Sequence, residues 1–194
     1  MKAVLMSIQP KWCELIASGK KTVEVRKTRP KLEVPFKVYI YCTNTKPYLV
    51  WGDVFRGNWE TEVTHLSGYN RAEAEKIWDV FNGKVIGEFV CDSMTSLKAD
   101  NMIQAYYNNT KETCLTDEEI KQYANNGKLF YWHISNLVIY DKPREMGEFF
   151  LACDKPNGTD CSVCLDRREN RCKAITRPPQ SWCYVERSES DGQK

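Results

Sequence analysis

A short polar strand between residues 20 and 26 carries the side chains most able to do chemistry. It reads Lys-Lys-Thr-Val-Glu-Val-Arg, and its polar and apolar residues alternate after Lys21. In a β-strand, that alternation places the side chains of Thr22, Glu24 and Arg26 on one face. A carboxylate beside a guanidinium and two ammonium groups forms either an anion-binding site or a local ion-pair network. The candidate anion-binding residues are therefore Lys20, Lys21, Thr22, Glu24 and Arg26.

Within this strand, Lys21 and Glu24 are the candidate catalytic pair. A lysine beside a carboxylate can transfer protons or bind an oxyanion if burial tunes its protonation. The alternative is an ion-pair network that supports a binding cleft without turnover. The chain has two histidines, His65 and His133, and a lone strand histidine such as His133 is more often a hydrogen-bonded structural residue than a base. Phosphate-binding glycine loops and the His-Glu-x-x-His motif are absent, so nucleotide hydrolysis and metalloprotease activity lack support.

A predicted helix leads into the polar strand. Pro10 suits the first helical position, where its missing N–H would be unpaired in any case. Gly19 suits the left-handed position just past the helix C-terminus. Residues at i, i+3 and i+4 of this helix form an apolar stripe that should face a core, namely Trp12, Leu15 and Ile16.

Further strands and helices must form the support for this site. Strands are predicted over 37–42, 84–91 and 129–140, from their β-branched and aromatic residues. Gly87 lies inside the second of these strands and indicates a bulge or a close approach. Helices are predicted over 71–81 and over 116–124, the latter with a capping box formed by Thr116 and Glu119.

The polar strand and the helix before it also match a family pattern. Gly19, Lys21, Glu24 and Arg26 reproduce G-x-K-x-x-E-x-R, and residues 7–16 before them read S-I-Q-P-K-W-C-E-L-I. The chain thus resembles the ASCH domain family of the PUA-like superfamily over roughly its first 150 residues. The resemblance implies an α+β fold, a PUA-like β-barrel flanked by helices, with the motif in a cleft. Family members are associated with RNA binding, and some are enzymes: an amidohydrolase of acetylated cytidine and a ribonuclease.

This resemblance leaves three functions open. The first is recognition of RNA or a modified nucleoside at a basic cleft. The second is hydrolysis of an N4-acetylcytidine-like substrate or of RNA, for which resemblance to the amidohydrolase members implies Lys21 as nucleophile or base with Thr22 and Glu24 as neighbours. That subgroup has a threonine where this chain has Glu24, and its second carboxylate comes from a later helical region, where Glu112 is the candidate. The third is a non-catalytic interaction adaptor, for which an acidic or apolar cleft is expected.

Composition favours a single globular domain with an appendage. The 194 residues are 42% hydrophobic, enough to bury a core. Net charge is only +2, yet residues 20–37 contain seven Lys or Arg and two acids. This local excess favours a defined site for an anionic ligand over nonspecific coating of nucleic acid.

No apolar run approaches the ~20 residues of a membrane span, and the N-terminus lacks a signal-peptide pattern, so we expect a cytoplasmic protein. We expect an ASCH domain over 1–151 and a Cys-rich extension, packed on the barrel, over 152–194.

The cysteines concentrate near the C-terminus. Five of the nine lie in the last 42 residues: Cys153, Cys161, Cys164, Cys172 and Cys183. In a reducing compartment such a cluster indicates a metal before disulfides. Cys161 and Cys164 have a spacing that lets two thiolates face one Zn²⁺, and Cys153 and Cys172 complete a tetrahedral set. Structural Zn²⁺ is thus the predicted cofactor, with Cys183 as the alternative fourth ligand; the competing interpretation is reduced thiols in a loosely folded tail.

The zinc prediction can be tested directly. Residues 154–171 offer little to bury besides Val163 and Leu165, so a bound metal would replace the missing core. We expect elemental analysis of protein purified without added metal to find about one zinc per chain. Changing Cys161 and Cys164 to Ser should remove it. Metal-free protein with an ordered tail would show that ordinary packing suffices.

Overall fold

Strands outnumber helices in the described part of the chain. The computed structural model describes residues 2–46, 48–51, 63–65, 70–76, 80–98, 111–152 and 173–186. Its strands are β1 (Lys2–Ile8), β2 (Val23–Arg26), β3 (Phe36–Cys42), β4 (Leu49–Trp51), β5 (Val63–His65), β6 (Val85–Lys98), β7 (Lys128–Arg144) and β8 (Trp182–Glu186). Its helices include α1 (Pro10–Ala17), α2 (Arg71–Glu75) and α3 (Asp117–Ala124), with a 3₁₀ turn at Met146–Glu148.

Six of the strands form one mixed sheet in the order β2-β7-β6-β3-β1-β8. β1 and β3 run parallel, whereas the other neighbouring pairs are antiparallel. β4 and β5 form a separate two-stranded ladder. The predicted α+β class is therefore confirmed.

The sheet is open, so the expectation of a closed β-barrel was wrong. Within the described residues, β2 pairs only with β7, and the far side of β8 makes a single bridge, Leu151 to Val185, so β2 and β8 do not pair with each other. The sheet nevertheless curls until side chains join its edges. Arg26 Nη2 on β2 donates to the Ser7 carbonyl oxygen on β1 at 2.7 Å, and Trp182 Nε1 on β8 donates to Thr28 Oγ1 at 2.9 Å. Side chains rather than a backbone ladder therefore span the opening between the two ends of the sheet.

The concave face of the sheet carries the main apolar core. Alternate residues of β1 and β3 point into it and pack against Cys13 and Ile16 of α1. Trp132 of β7 is fully buried there, and its ring meets Phe36 edge-on at a centroid distance of 5.6 Å. Of the predicted apolar stripe, Ile16 is buried in this core and Trp12 packs partly buried against it, whereas Leu15 is half-buried and is not part of the core, where Cys13 lies instead.

The convex face has two smaller cores. Ile120 and Ala124 of α3 cover Val23 and Val25 of β2. Phe149, Ile175 and other apolar residues cover the β1, β3 and β8 side. Residues 173–186 thus return to the sheet and end in β8, which pairs with β1.

Two local predictions had different outcomes. Gly87 lies at a register shift between β6 and β7, which confirms the predicted irregularity, and a Cβ there would lie 2.4 Å from the Val138 carbonyl oxygen. The helix predicted over 71–81 was wrong at its C-terminal end, since α2 stops at Glu75 and Val80 and Phe81 are not helical; residues 77–79 lie outside the described part. Phe81 is instead buried in the main core, and its N–H donates to the Leu49 carbonyl oxygen.

Among the described residues, no helix is long and apolar enough to cross a membrane.

Candidate functional site

A cavity of about 480 Å³ lies where α1, β2 and α3 meet. Its floor is the polar face of β2, and α1 and α3 provide opposite walls. The lining residues from β1 and α1 are Ser7, Ile8, Gln9 and Trp12; those from the β2 region are Lys21, Glu24, Val25, Arg26 and Lys27; those from α3 and the turn before it are Leu115, Glu119, Gln122 and Tyr123.

Local sequence signals direct the polar side chains into this cavity. Gly19 adopts a φ of +70° just after α1, as predicted, and the Lys21 N–H then donates to the Leu15 carbonyl oxygen. The strand that follows buries Val23 and Val25 under α3. Because strand side chains alternate, Glu24 must face the opposite side, toward the cavity.

Glu24 lies between two buried cations. Its Oε1 lies 2.9 Å from Arg26 Nε, and its Oε2 lies 3.4 Å from Lys21 Nζ. The Arg26 Nε–H is not aligned with a hydrogen-bond acceptor, so this contact is an ion pair rather than a directed hydrogen bond. Lys21, Glu24 and Arg26 are only 2%, 6% and 8% exposed. The cluster therefore holds two positive charges and one negative charge away from water, where charges need partners.

The two cations are fixed by further contacts. Lys21 Nζ donates to the Thr113 carbonyl oxygen at 2.6 Å and lies 5.2 Å from the Trp12 ring centroid. Arg26 Nη2 donates to the Ser7 carbonyl oxygen, and Nη1 lies 3.4 Å from Ser181 Oγ. Both head groups are therefore held in place by elements distant in sequence.

The rim of the cavity is aromatic and charged. Lys27 Nζ lies 4.8 Å from the Tyr123 ring centroid, and Lys11 Nζ lies 4.4 Å from that of Trp12. Burial raises the pKa of Tyr123 above its ordinary value, although the nearby Arg26 opposes the shift. The Tyr123 hydroxyl is therefore protonated at neutral pH.

Glu119 is the second carboxylate of the cavity, and sequence reasoning assigned it only to the helix cap. The predicted capping box is confirmed, with the Thr116 N–H donating to Glu119 Oε2 at 2.8 Å. That hydrogen bond lowers the pKa of Glu119, so its carboxylate is ionised at neutral pH. The helical spacing of Glu119, Gln122 and Tyr123 at i, i+3 and i+4 was the signal that could have indicated one polar face.

Three other candidates lie away from the cavity lining. The side chain of Lys20 is exposed, and its carbonyl oxygen accepts from Cys114 Sγ. Thr22 is half-buried, and its N–H donates to the carbonyl oxygen of Glu112. The Glu112 side chain is exposed. Of the polar residues proposed from sequence, the structure thus brings Lys21, Glu24 and Arg26 together in the cavity.

The histidine and cysteine candidates have other surroundings. His133 Nδ1 lies 2.6 Å from Asp92 Oδ1, the hydrogen-bonded arrangement expected for a strand histidine, whereas the side chain of His65 lies outside the described part. Burial raises the pKa of Cys183 on β8 to about 11. The described ranges contain no group of three His, Cys, Asp or Glu side chains that could hold a metal ion. The proposed zinc ligands lie outside those ranges: Cys153, Cys161, Cys164 and Cys172.

The buried ion pairs make a prediction about stability. Glu24→Gln removes the anion between Lys21 and Arg26, which leaves two buried cations without a charged partner. We expect the free energy of unfolding to fall by about 3 kcal/mol, measured by urea unfolding. Glu33→Gln is the matched control, because Glu33 is an exposed carboxylate. An effect no larger than that of the control would show that the ion pairs add nothing to stability.

Comparison with known proteins gives a consistent identification. The ASCH domain model matches residues 6–126. A crystal structure of ASCH from Zymomonas mobilis aligns with a TM-score of 0.54 and 17% identity, covering 97% of this chain and 90% of that one. A single-substitution mutant of the same protein aligns with a TM-score of 0.54 and 17% identity, covering 96% and 91%. None of the curated proteins matches this chain. At this identity the solved structures show a shared fold, and the family model spans the Lys21–Arg26 cluster: the chain belongs to the ASCH domain family.

Proposed function

We propose that this protein binds RNA or a modified nucleoside in the cavity built on Lys21, Glu24 and Arg26. The observation that carries the proposal is the excess positive charge buried beneath that cavity. Three cations line the cavity against two carboxylates, Glu24 and Glu119, and an anionic ligand would balance the remaining positive charge. Charge-assisted hydrogen bonds to a phosphate are stronger than neutral ones.

Lys21 has a donor available for such a ligand. An ammonium group has three N–H donors. In the described residues, its acceptors are the Thr113 carbonyl oxygen and Glu24 Oε2, which account for two of the three. Lys27 adds a second cation at the rim of the same cavity.

The aromatic walls suit a nucleobase. Trp12 and Tyr123 line the cavity from α1 and α3. Aromatic side chains stack on unpaired bases, the usual mode of recognition for single-stranded RNA. The volume of about 480 Å³ is within the range of small-molecule sites. An adaptor was expected to have an acidic or apolar cleft. The cationic and aromatic groups of this cavity instead favour a nucleotide-binding site.

RNA binding is tested by filter binding of mixed-sequence RNA at low and high salt. We expect wild-type affinity to fall steeply as salt rises, because binding releases counterions from the phosphates. Lys21→Met should weaken binding about tenfold or more at low salt, since it removes a charged hydrogen bond. Lys27→Ala should weaken it less while leaving the buried ion pairs intact.

The matched control is Lys142→Ala. Lys142 is an exposed lysine near the C-terminal end of β7, far along that strand from the residues that pair with β2. RNA affinity should be unchanged in this variant. Absence of RNA affinity at low salt across varied sequences would contradict the proposal, as would an equal loss in Lys142→Ala and Lys27→Ala.

Hydrolysis is the second candidate function, favoured by the 3.4 Å contact between Lys21 Nζ and Glu24 Oε2 in a buried site. If Lys21 is the nucleophile or base, the wild type should turn over N4-acetylcytidine or cleave mixed RNA, and Lys21→Met should lose about 10²-fold in rate. Chromatography of the products measures both reactions. Product formed equally by the variant would rule out Lys21 as the catalytic residue.

A further inference from the structure

We propose that the ligand is a single-stranded polynucleotide, with one nucleotide in the cavity and its neighbours on an adjoining surface. This inference rests on the proposed function and chooses a strand over a free nucleoside. The adjoining surface, here called the flank surface, consists of Lys27, Arg29, Lys31 and Lys128.

The flank surface begins at the cavity and continues past it. Lys27 lines the cavity and lies over Tyr123. Arg29 Cζ lies 6.0 Å from the ring centroid of Phe130, and Lys128 Nζ lies 5.3 Å from the same centroid. Phe130 of β7 is the register partner of Arg26 at the end of β2. The two cations above Phe130 are therefore placed next to the floor of the cavity.

These cations are available to an external anion. All four side chains of the flank surface are exposed, and within the described residues none lies within 4.0 Å of a carboxylate. Several other surface cations do pair with carboxylates, as Arg71 does with Glu75 and Arg144 with Glu148. Lys27, Arg29 and Lys128 lie instead against aromatic rings. An aromatic ring carries no net charge, so it does not neutralise these cations.

The segment that carries three of these cations is held in place. The Lys31 N–H donates to Tyr184 Oη at 2.6 Å, and Thr28 Oγ1 accepts from Trp182 Nε1. Both partners lie on the edge strand β8. A segment that is already ordered costs less conformational entropy when a ligand binds.

The geometry favours an unpaired strand over a duplex or an acidic peptide. The charged floor is almost fully buried, so a base held in a duplex would have to be extruded to reach it. Arg29 lies over Phe130, and guanidinium planes and aromatic rings both stack on unpaired bases. An acidic peptide would supply charge but no base for these stacking groups.

The length of the oligonucleotide provides the test. Fluorescence anisotropy would compare labelled mixed-sequence RNA of one, three and six nucleotides with a DNA hexamer, an RNA duplex and poly-glutamate. We expect the RNA hexamer to bind about tenfold tighter than the single nucleotide, through added phosphate and stacking contacts. The double variant Arg29→Ala/Lys128→Ala should lose that gain and lower the salt slope by roughly 1.4, with single-nucleotide affinity unchanged. The DNA arm separates RNA from DNA recognition, since the 2′-hydroxyl distinguishes them.

Two further variants make the result specific. Arg29→Lys keeps the charge but removes the planar stacking group, so it should lose part of the hexamer affinity and keep the salt slope. Lys142→Ala should change neither. Equal affinity for one and six nucleotides would overturn this inference and leave the proposed function standing. Duplex or poly-glutamate binding as tight as the hexamer would also overturn it, whereas absence of any nucleotide binding would overturn both.

Discussion

The contact between Glu24 and Arg26 is the interaction on which the rest of the structure depends. Arg26 reaches from the edge strand β2 to the Ser7 carbonyl oxygen on β1, and so joins two strands that share no ladder. A guanidinium can occupy this buried position only with a negative partner, because an unpaired buried charge is strongly destabilising. Glu24 provides that partner on the same face of the same strand.

The same cluster that joins the sheet edges also builds the candidate site. Lys21 makes the second ion pair with Glu24, which leaves a surplus of positive charge under the cavity. Structural and binding roles are therefore compatible within this cluster. Sequence reasoning treated an ion-pair network and an anion site as alternatives, but the geometry lets the first support the second.

Helix α3 packs against one face of β2 and also lines the cavity on the other face. Its apolar residues Ile120 and Ala124 cover the valines on the convex face, while Glu119 and Tyr123 contribute to the cavity. This helix was predicted from its capping box, yet its contribution to the site was not. Glu112 was considered instead as the second carboxylate, although its exposed side chain does not line the cavity and its carbonyl oxygen accepts from the Thr22 N–H just before β2.

The sequence by itself determined the local features of this protein. Gly19 at the end of α1, the cap of α3 and the alternation from Thr22 to Arg26 follow from backbone geometry within a few residues, so they were predictable. The tertiary structure decided which polar groups meet, since Lys21 contacts Thr113 across 92 positions and Arg26 contacts Ser181 across 155. It also decided that the sheet stays open. Such contacts depend on how strands are ordered and curved in space, and residue spacing along one chain carries little information about that.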